Sequence, residues 1–181
     1  MLQIIVPLGP EEWDEEKEEF IMPKTQTLRL EHSLVSISKW ESKWHRAFLS
    51  KKAMTDEETL DYIKCMTLTQ NVNPEVYEHI TSENVERVRE YIEAPMTATV
   101  FSDDKNAKRD REVVTSELIY YWMIALQIPF ECRKWHLNRL LTLIKVCNIK
   151  NNPPKKRSKR DIMSRNTALN AARRKQLNSR G

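Results

Sequence analysis

Leu118-Ile119-Tyr120-Tyr121-Trp122-Met123-Ile124-Ala125-Leu126 and, beyond Pro129, Trp135-His136-Leu137-Asn138-Arg139-Leu140-Leu141-Thr142-Leu143-Ile144-Lys145-Val146-Cys147 form the most apolar part of the chain. In the first run Leu118, Ile119, Tyr121, Trp122, Ala125 and Leu126 make a broad helical face. In the second, Trp135, Leu137, Leu140, Leu141, Leu143, Ile144 and Val146 make another. The short connection around Gln127-Ile128-Pro129 predicts an antiparallel helix hairpin at the centre of the core. Trp135, Leu140, Leu141 and Ile144 are expected to pack there against Leu118, Trp122 and Leu126. The expected fold class is therefore mainly α.

Upstream, Leu34, Ile37, Trp40, Trp44 and Phe48 recur at spacings of three and four, which predicts a helix with Ser33 as its N-cap. Thr55-Asp56-Glu57-Glu58 is a capping-box pattern that opens a second helix through Leu60, Tyr62, Ile63 and Met66. Asn73-Pro74-Glu75 and Thr81-Ser82-Glu83 start two shorter ones, the latter carrying Val85, Val88 and Ile92 on one face and closed by Pro95. Residues 2–8 and 25–30 are strand candidates that could pair as a small antiparallel sheet near the N-terminus, and residues 96–101 are a third strand candidate. Between the first two, the acidic stretch and Pro23 predict a loop or a short helix. A charged loop is expected over residues 102–112.

The 30 Lys and Arg against 26 Asp and Glu give a net charge of +4, which hides an asymmetry. Residues 150–181 hold eleven bases and the single acid Asp161, so they carry +10 and leave −6 on residues 1–149. Two parts are expected: an acidic, mainly helical body over residues 1–150, and a basic, proline-linked arm over residues 151–181. In the arm, Ser158 can cap a helix running towards Leu177, with Asp161 at its positive end and Arg173, Arg174 and Lys175 at its negative end. Its apolar residues Ile162, Leu169 and Leu177 are sparse, so such a helix needs a partner. Lys155, Lys156, Arg157, Lys159, Arg160, Arg173, Arg174 and Lys175 are its candidate partner-binding residues. At the other end, Glu11-Glu12-Trp13-Asp14-Glu15-Glu16-Lys17-Glu18-Glu19 concentrates seven acids on one base. Opposite-sign arms can pair within or between protomers; equally, each can be a solvated segment that maintains solubility.

Function classes narrow by elimination. The two glycines, Gly9 and Gly181, cannot build a glycine-rich phosphate loop, which excludes P-loop and Rossmann-type nucleotide binding. Cys65, Cys132 and Cys147 are odd in number and lack CxxC spacing, which points to a reducing compartment. Cys132 and His136 are one helical turn apart, but Cys147 is too far along the same helix to join them, so they read as a core pair and no metal is expected. Nothing groups a nucleophile, a base and an orienting group, so no catalytic residue, enzymatic activity or cofactor is expected. The N-terminal apolar run is too short for a membrane span, and no secretory or membrane segment is expected. The basic run 153–160 resembles a nuclear-localisation or nucleic-acid segment; without a fold signature for base reading, docking on an acidic protein surface is favoured. Of the five tryptophans, Trp40, Trp44, Trp122 and Trp135 read as core anchors, and Trp13, amid the acids, as an interface anchor.

Several runs carry a family resemblance. They are Leu30-Glu31-His32-Ser33-Leu34-Val35-Ser36-Ile37-Ser38-Lys39-Trp40-Glu41, Pro95-Met96-Thr97-Ala98-Thr99, Ile128-Pro129-Phe130-Glu131-Cys132, Trp135 to Ile144, and Arg165-Asn166-Thr167-Ala168-Leu169-Asn170-Ala171-Ala172-Arg173-Arg174. Together, from Leu28 onward, they resemble the tail assembly chaperones of tailed double-stranded-DNA bacteriophages, encoded near the tape measure protein. The resemblance implies a non-enzymatic protein that coats the aggregation-prone helical tape measure protein, helps recruit tail tube subunits and works in the host cytoplasm; self-association is expected from the opposite-sign arms. The alternative is a structural virion component of the tail, baseplate or neck; the third reading is a nucleic-acid-binding phage protein.

Overall fold

A computed structural model describes residues 1–9, 12–14, 19–21, 23–101, 113–151 and 159–177. It is mostly helical, with a two-stranded antiparallel sheet at the N-terminus. Strand β1 (Leu2–Pro7) pairs with a strand over Thr25–Leu30, in a register running from Leu2 opposite Leu30 to Pro7 opposite Thr25. Ile4, Val6, Leu28 and Leu30 are buried, whereas Gln3, Ile5, Thr27 and Arg29 are exposed. That two-residue period is why these segments extend: one face meets the core and the other meets water. In place of the expected loop or helix, the acidic stretch holds a small ribbon of β2 (Glu12–Asp14) and β3 (Glu19–Ile21), with Trp13 opposite Phe20. Aromatic and β-branched residues at Trp13, Phe20 and Ile21 favour that geometry. The strand at 25–30 is thus β4.

Helix α1 (Leu34–Trp44) starts at a capping box in which the Ser33 hydroxyl accepts from the Ser36 amide and Ser36 answers to the Ser33 amide. It buries Leu34, Ile37 and Trp40. The helix stops before Phe48, because His45 turns left-handed at φ 48° and the Glu41 carboxylate takes the Phe48 amide at 2.8 Å. Phe48 still reaches the core, edge-on to Trp40 at 5.4 Å between ring centroids. Helix α2 (Asp56–Met66), boxed by Thr55 and Glu58, packs on α1 through Tyr62, Ile63 and Met66. Trp40 Nε1 donates to the Glu58 carbonyl at 3.0 Å and Trp44 Nε1 to the Asp61 carboxylate at 2.9 Å, so both indoles bury apolar area with their one polar group satisfied.

A 3₁₀ turn at Pro74–His79, capped by Asn73, leads into α3 (Ser82–Glu93), which lies along β1: the Asn84 amide donates to the Ile5 carbonyl at 3.0 Å and Arg87 to that of Gln3 at 3.2 Å. The other edge, at β4, is held by the Leu68 amide on the Arg29 carbonyl at 2.7 Å and by a bridge from Leu30 to Thr67. With both edges occupied, the strand expected over 96–101 has nowhere to pair; that segment is irregular, and Val100 is exposed.

Helix α4 (Ser116–Ala125) packs chiefly on α1, and the Glu41 carboxylate also takes its Ser116 amide at 2.8 Å. The expected hairpin is therefore corrected. After α4, Gln127 turns left-handed at φ 52°, the chain makes a 3₁₀ turn at Phe130–Lys134, and His136 then bridges to Ser33 before α5 (Leu137–Asn151) begins. That path sends α5 to the His32 strand end, where the Leu137 amide donates to the His32 carbonyl at 2.8 Å. The core residues shift accordingly. Leu140 and Ile144 are buried, joined by Ile119, Met123 and Leu137, while Trp122, Trp135 and Leu141 are half-buried at the core's margin.

The chain divides into two compact units, Met1–Cys147 and Asn148–Gly181. In the second, α6 (Lys159–Leu177) has exposed side chains at Arg160, Met163, Ser164 and throughout 166–177. Ser158, its expected cap, and the charged segment 102–112 lie outside the described residues. No described helix is long and apolar enough to cross a membrane.

Candidate functional site

Three arrangements carry chemistry, and the first is centred on buried side chains. The Tyr62 hydroxyl lies 2.5 Å from His32 Nδ1 and 3.3 Å from the Ser36 hydroxyl, and all three side chains are buried. The His32 and His136 rings meet edge-on at 5.0 Å. The Asn138 backbone N–H donates to His136 Nδ1 at 3.3 Å, which leaves the proton on Nε2 to reach the Tyr91 carbonyl at 2.9 Å. Tyr91 in turn donates to Glu31 at 2.7 Å, and Glu31 pairs with the N-terminal amine at 3.0 Å. Burial and the facing His136 hold His32 down at about 3, and burial also lowers His136. Burial pushes the Tyr62 and Tyr91 hydroxyls above their ordinary range, helped at Tyr91 by Glu31. Ser36 spends its hydroxyl proton on the Ser33 carbonyl at 2.8 Å. The cluster joins the segment after β4 to α1, α2, α3 and α5 through neutral histidine, tyrosine and serine side chains, and ends at the ion pair of Glu31 with the N-terminal amine. Its sequence signal was Glu31-His32 next to the Ser33 cap, but the partner Tyr62 is thirty residues away and gave no local cue.

Cys132 and His136, paired by spacing, are both buried, and burial raises the Cys132 thiol as it does that of Cys65. Among the described residues, no three of His, Cys, Asp and Glu cluster as metal ligands.

The second arrangement is the outer side of α4. A helix apolar all round is ordinarily buried all round. Here Ile119 and Met123 are buried, yet Tyr121 is 62% and Ile124 69% exposed, and Glu117 is the helix's only charged residue. Beside it Tyr120 stacks on the exposed ring of Phe130 at 5.7 Å, and the Arg133 guanidinium sits 4.5 Å over that ring. Of this surface, only Tyr121 belongs to the helical face expected from spacing, because spacing identifies apolar residues and cannot say how many sides of a helix find a neighbour.

The third is an apolar groove of about 360 Å³ between α2, α3 and residues 48–54. Of the predicted arm residues, Arg160, Arg173, Arg174 and Lys175 are exposed on α6, and Lys159 is its first residue. Lys155, Lys156 and Arg157 lie outside the described residues. Trp13 stands in β2 opposite Phe20.

No family model matches this chain, and no curated protein or solved structure is significantly similar to it.

Proposed function

We propose that this is a non-enzymatic bacteriophage tail assembly protein, a chaperone that binds the tape measure protein and aids assembly of the tail tube in the host cytoplasm. The family resemblance motivates the reading, and the outer face of α4 is the observation that carries it. Tyr121, Ile124 and the neighbouring Phe130 offer a client helix an apolar strip with little charge, the chemistry of helix-in-groove recognition. The basic residues of α6 supply long-range attraction to acidic partners and keep the loaded complex in solution. Docking of α6 on protein is favoured over nucleic acid.

The test is co-expression with the phage's tape measure protein, followed by sedimentation and pull-down. The client is expected in the soluble fraction with this chain and in the pellet without it. Tyr121→Ala with Ile124→Ala should weaken rescue several-fold while leaving the melting transition in place. Equal aggregation with and without the chain, together with a fixed copy number in purified virions by mass spectrometry, would replace the chaperone by a permanent component of the tail, baseplate or neck.

A further inference from the structure

The groove between α2, α3 and residues 48–54 is walled by Phe48, Met54, Ile63, Val85, Val88 and Ile92, with Lys52 and Arg89 among its lining residues. Lys52 is exposed. Arg89 has one ionic partner among the described residues, Glu86 at 3.2 Å, and both side chains are more than half exposed. A pair of that kind is worth little, so it yields readily to another carboxylate. Ser50, also lining the groove, has a hydroxyl oxygen that is buried without a hydrogen-bond partner. A fitting occupant must therefore bring large apolar side chains into the groove, carboxylates to its cationic edge and a polar group near Ser50.

The chain itself contains such a segment. In the register of the β2–β3 ribbon Trp13 stands opposite Phe20. Glu12, Asp14 and Glu19 flank that aromatic pair within a stretch of seven acids and one base. We propose that the groove receives the acidic β2–β3 ribbon of a second copy of this chain, with Trp13 and Phe20 as its apolar anchors and Lys52 and Arg89 meeting its carboxylates.

The choice of a second copy follows from the layout of α3. Its Asn84 and Arg87 hold β1, the strand that leads into the ribbon, whereas Val85, Arg89 and Ile92 turn another face to the groove. Ribbon and groove are thus distinct, complementary surfaces that each copy carries once. Where both contacts form between the same two copies they close a reciprocal pair, and otherwise they build rings or open chains. The proposal is independent of the tail-assembly reading, and its test needs only this chain.

Sedimentation velocity of the full chain over a concentration series at low and high salt provides the test. The mean mass should rise with concentration and fall as salt is added. Trp13→Ala removes the anchor from the ribbon, and Ala53→Trp fills the groove; each should weaken association about tenfold or more, as loss of a tryptophan anchor does at other interfaces. Mixing the two variants should give dimers and nothing larger, since one intact ribbon and one intact groove remain per pair. If Ala53→Trp disturbs folding by circular dichroism, the exposed Lys52→Glu takes its place, and Glu12→Lys in the same chain should restore association. A wild-type chain that stays monomeric, variants that associate like wild type, or a mixture that stays monomeric would each overturn the proposal. So would variants that lower the melting temperature independently of concentration, because the ribbon would then occupy the groove of its own chain.

Discussion

Helices α1 and α6 are both amphiphilic by composition, yet they relate to the fold in opposite ways. In 11 residues α1 buries Leu34, Ser36, Ile37, Trp40 and Glu41, and each polar group among them is used. Ser36 closes the capping box and Glu41 takes two backbone amides. In 19 residues α6 has no buried side chain among the described residues. Its charges favour helix formation at its C-terminal end, where Arg174 and Lys175 meet the negative pole of the dipole. The difference shows that helical propensity and tertiary coupling are separate quantities. Residues that bury surface and satisfy polar groups across elements determine stability, whatever the helix length.

The sharpest test compares one apolar side chain from each. Trp40→Ala should cost about 3–5 kcal/mol in urea unfolding, because a fully buried indole is lost and the Glu58 carbonyl loses its donor. Leu169→Ala in α6, where the side chain is 46% exposed, should change stability by no more than about 0.5 kcal/mol. Equal costs would erase the distinction between the two helices.

Much of this contrast was legible locally. Ser33, Thr55 with Glu58, Asn73 before Pro74, and Thr81 announce helix starts through side-chain oxygens that reach the first free amides, and all four act as caps. The strand propensity of residues 2–8 and 25–30 was equally plain. Long-range partners were not legible. Nothing near Glu41 says that its carboxylate will serve both Phe48 and Ser116, and that bond network draws α4 onto α1. The sequence around Gln127 suggested a tight connection, whereas the bridge from His136 to Ser33 sets the path into α5. For the candidate site, the charges of α6 were visible, whereas Trp13, expected in a loop or short helix, stands in β2, and the exposed row on α4 required knowing which of its sides α1 covers.

The buried histidines give the second comparison, since α6 contains none. His32 titrates near 3 in the folded chain and near 6.5 when unfolded, so the unfolded state binds the extra proton across that window. Its neutral form therefore contributes full stability above about pH 6.5, which is lost progressively as pH falls towards 3. Between pH 6.5 and pH 5 this group alone should cost about 2 kcal/mol, and His136, shifted in the same direction, adds to the slope. Urea midpoints measured at pH 7.5, 6 and 5 check the sign. His32→Gln should flatten the dependence while lowering stability at neutral pH; an unchanged slope in that variant would place the acid sensitivity elsewhere.

The smallest expected effect on the body comes from the largest deletion. A chain ending at Asn152 keeps all the buried residues, the His32–Tyr62 cluster and both carboxylate bonds of Glu41. It loses α6, a helix with no buried side chain among the described residues, and ten bases in all. Its melting midpoint should therefore stay within about 1–2 °C of the full chain, the shift of a change of ~0.5 kcal/mol in a chain of this size. The helical circular dichroism should fall only by the share belonging to α6. Binding to the tape measure protein proposed as its client should weaken at the same time, most at low salt, where the lost charges act over the longest range. A large drop in the midpoint would show that α6 stabilises the body, and the contrast with α1 would fail at its weakest point.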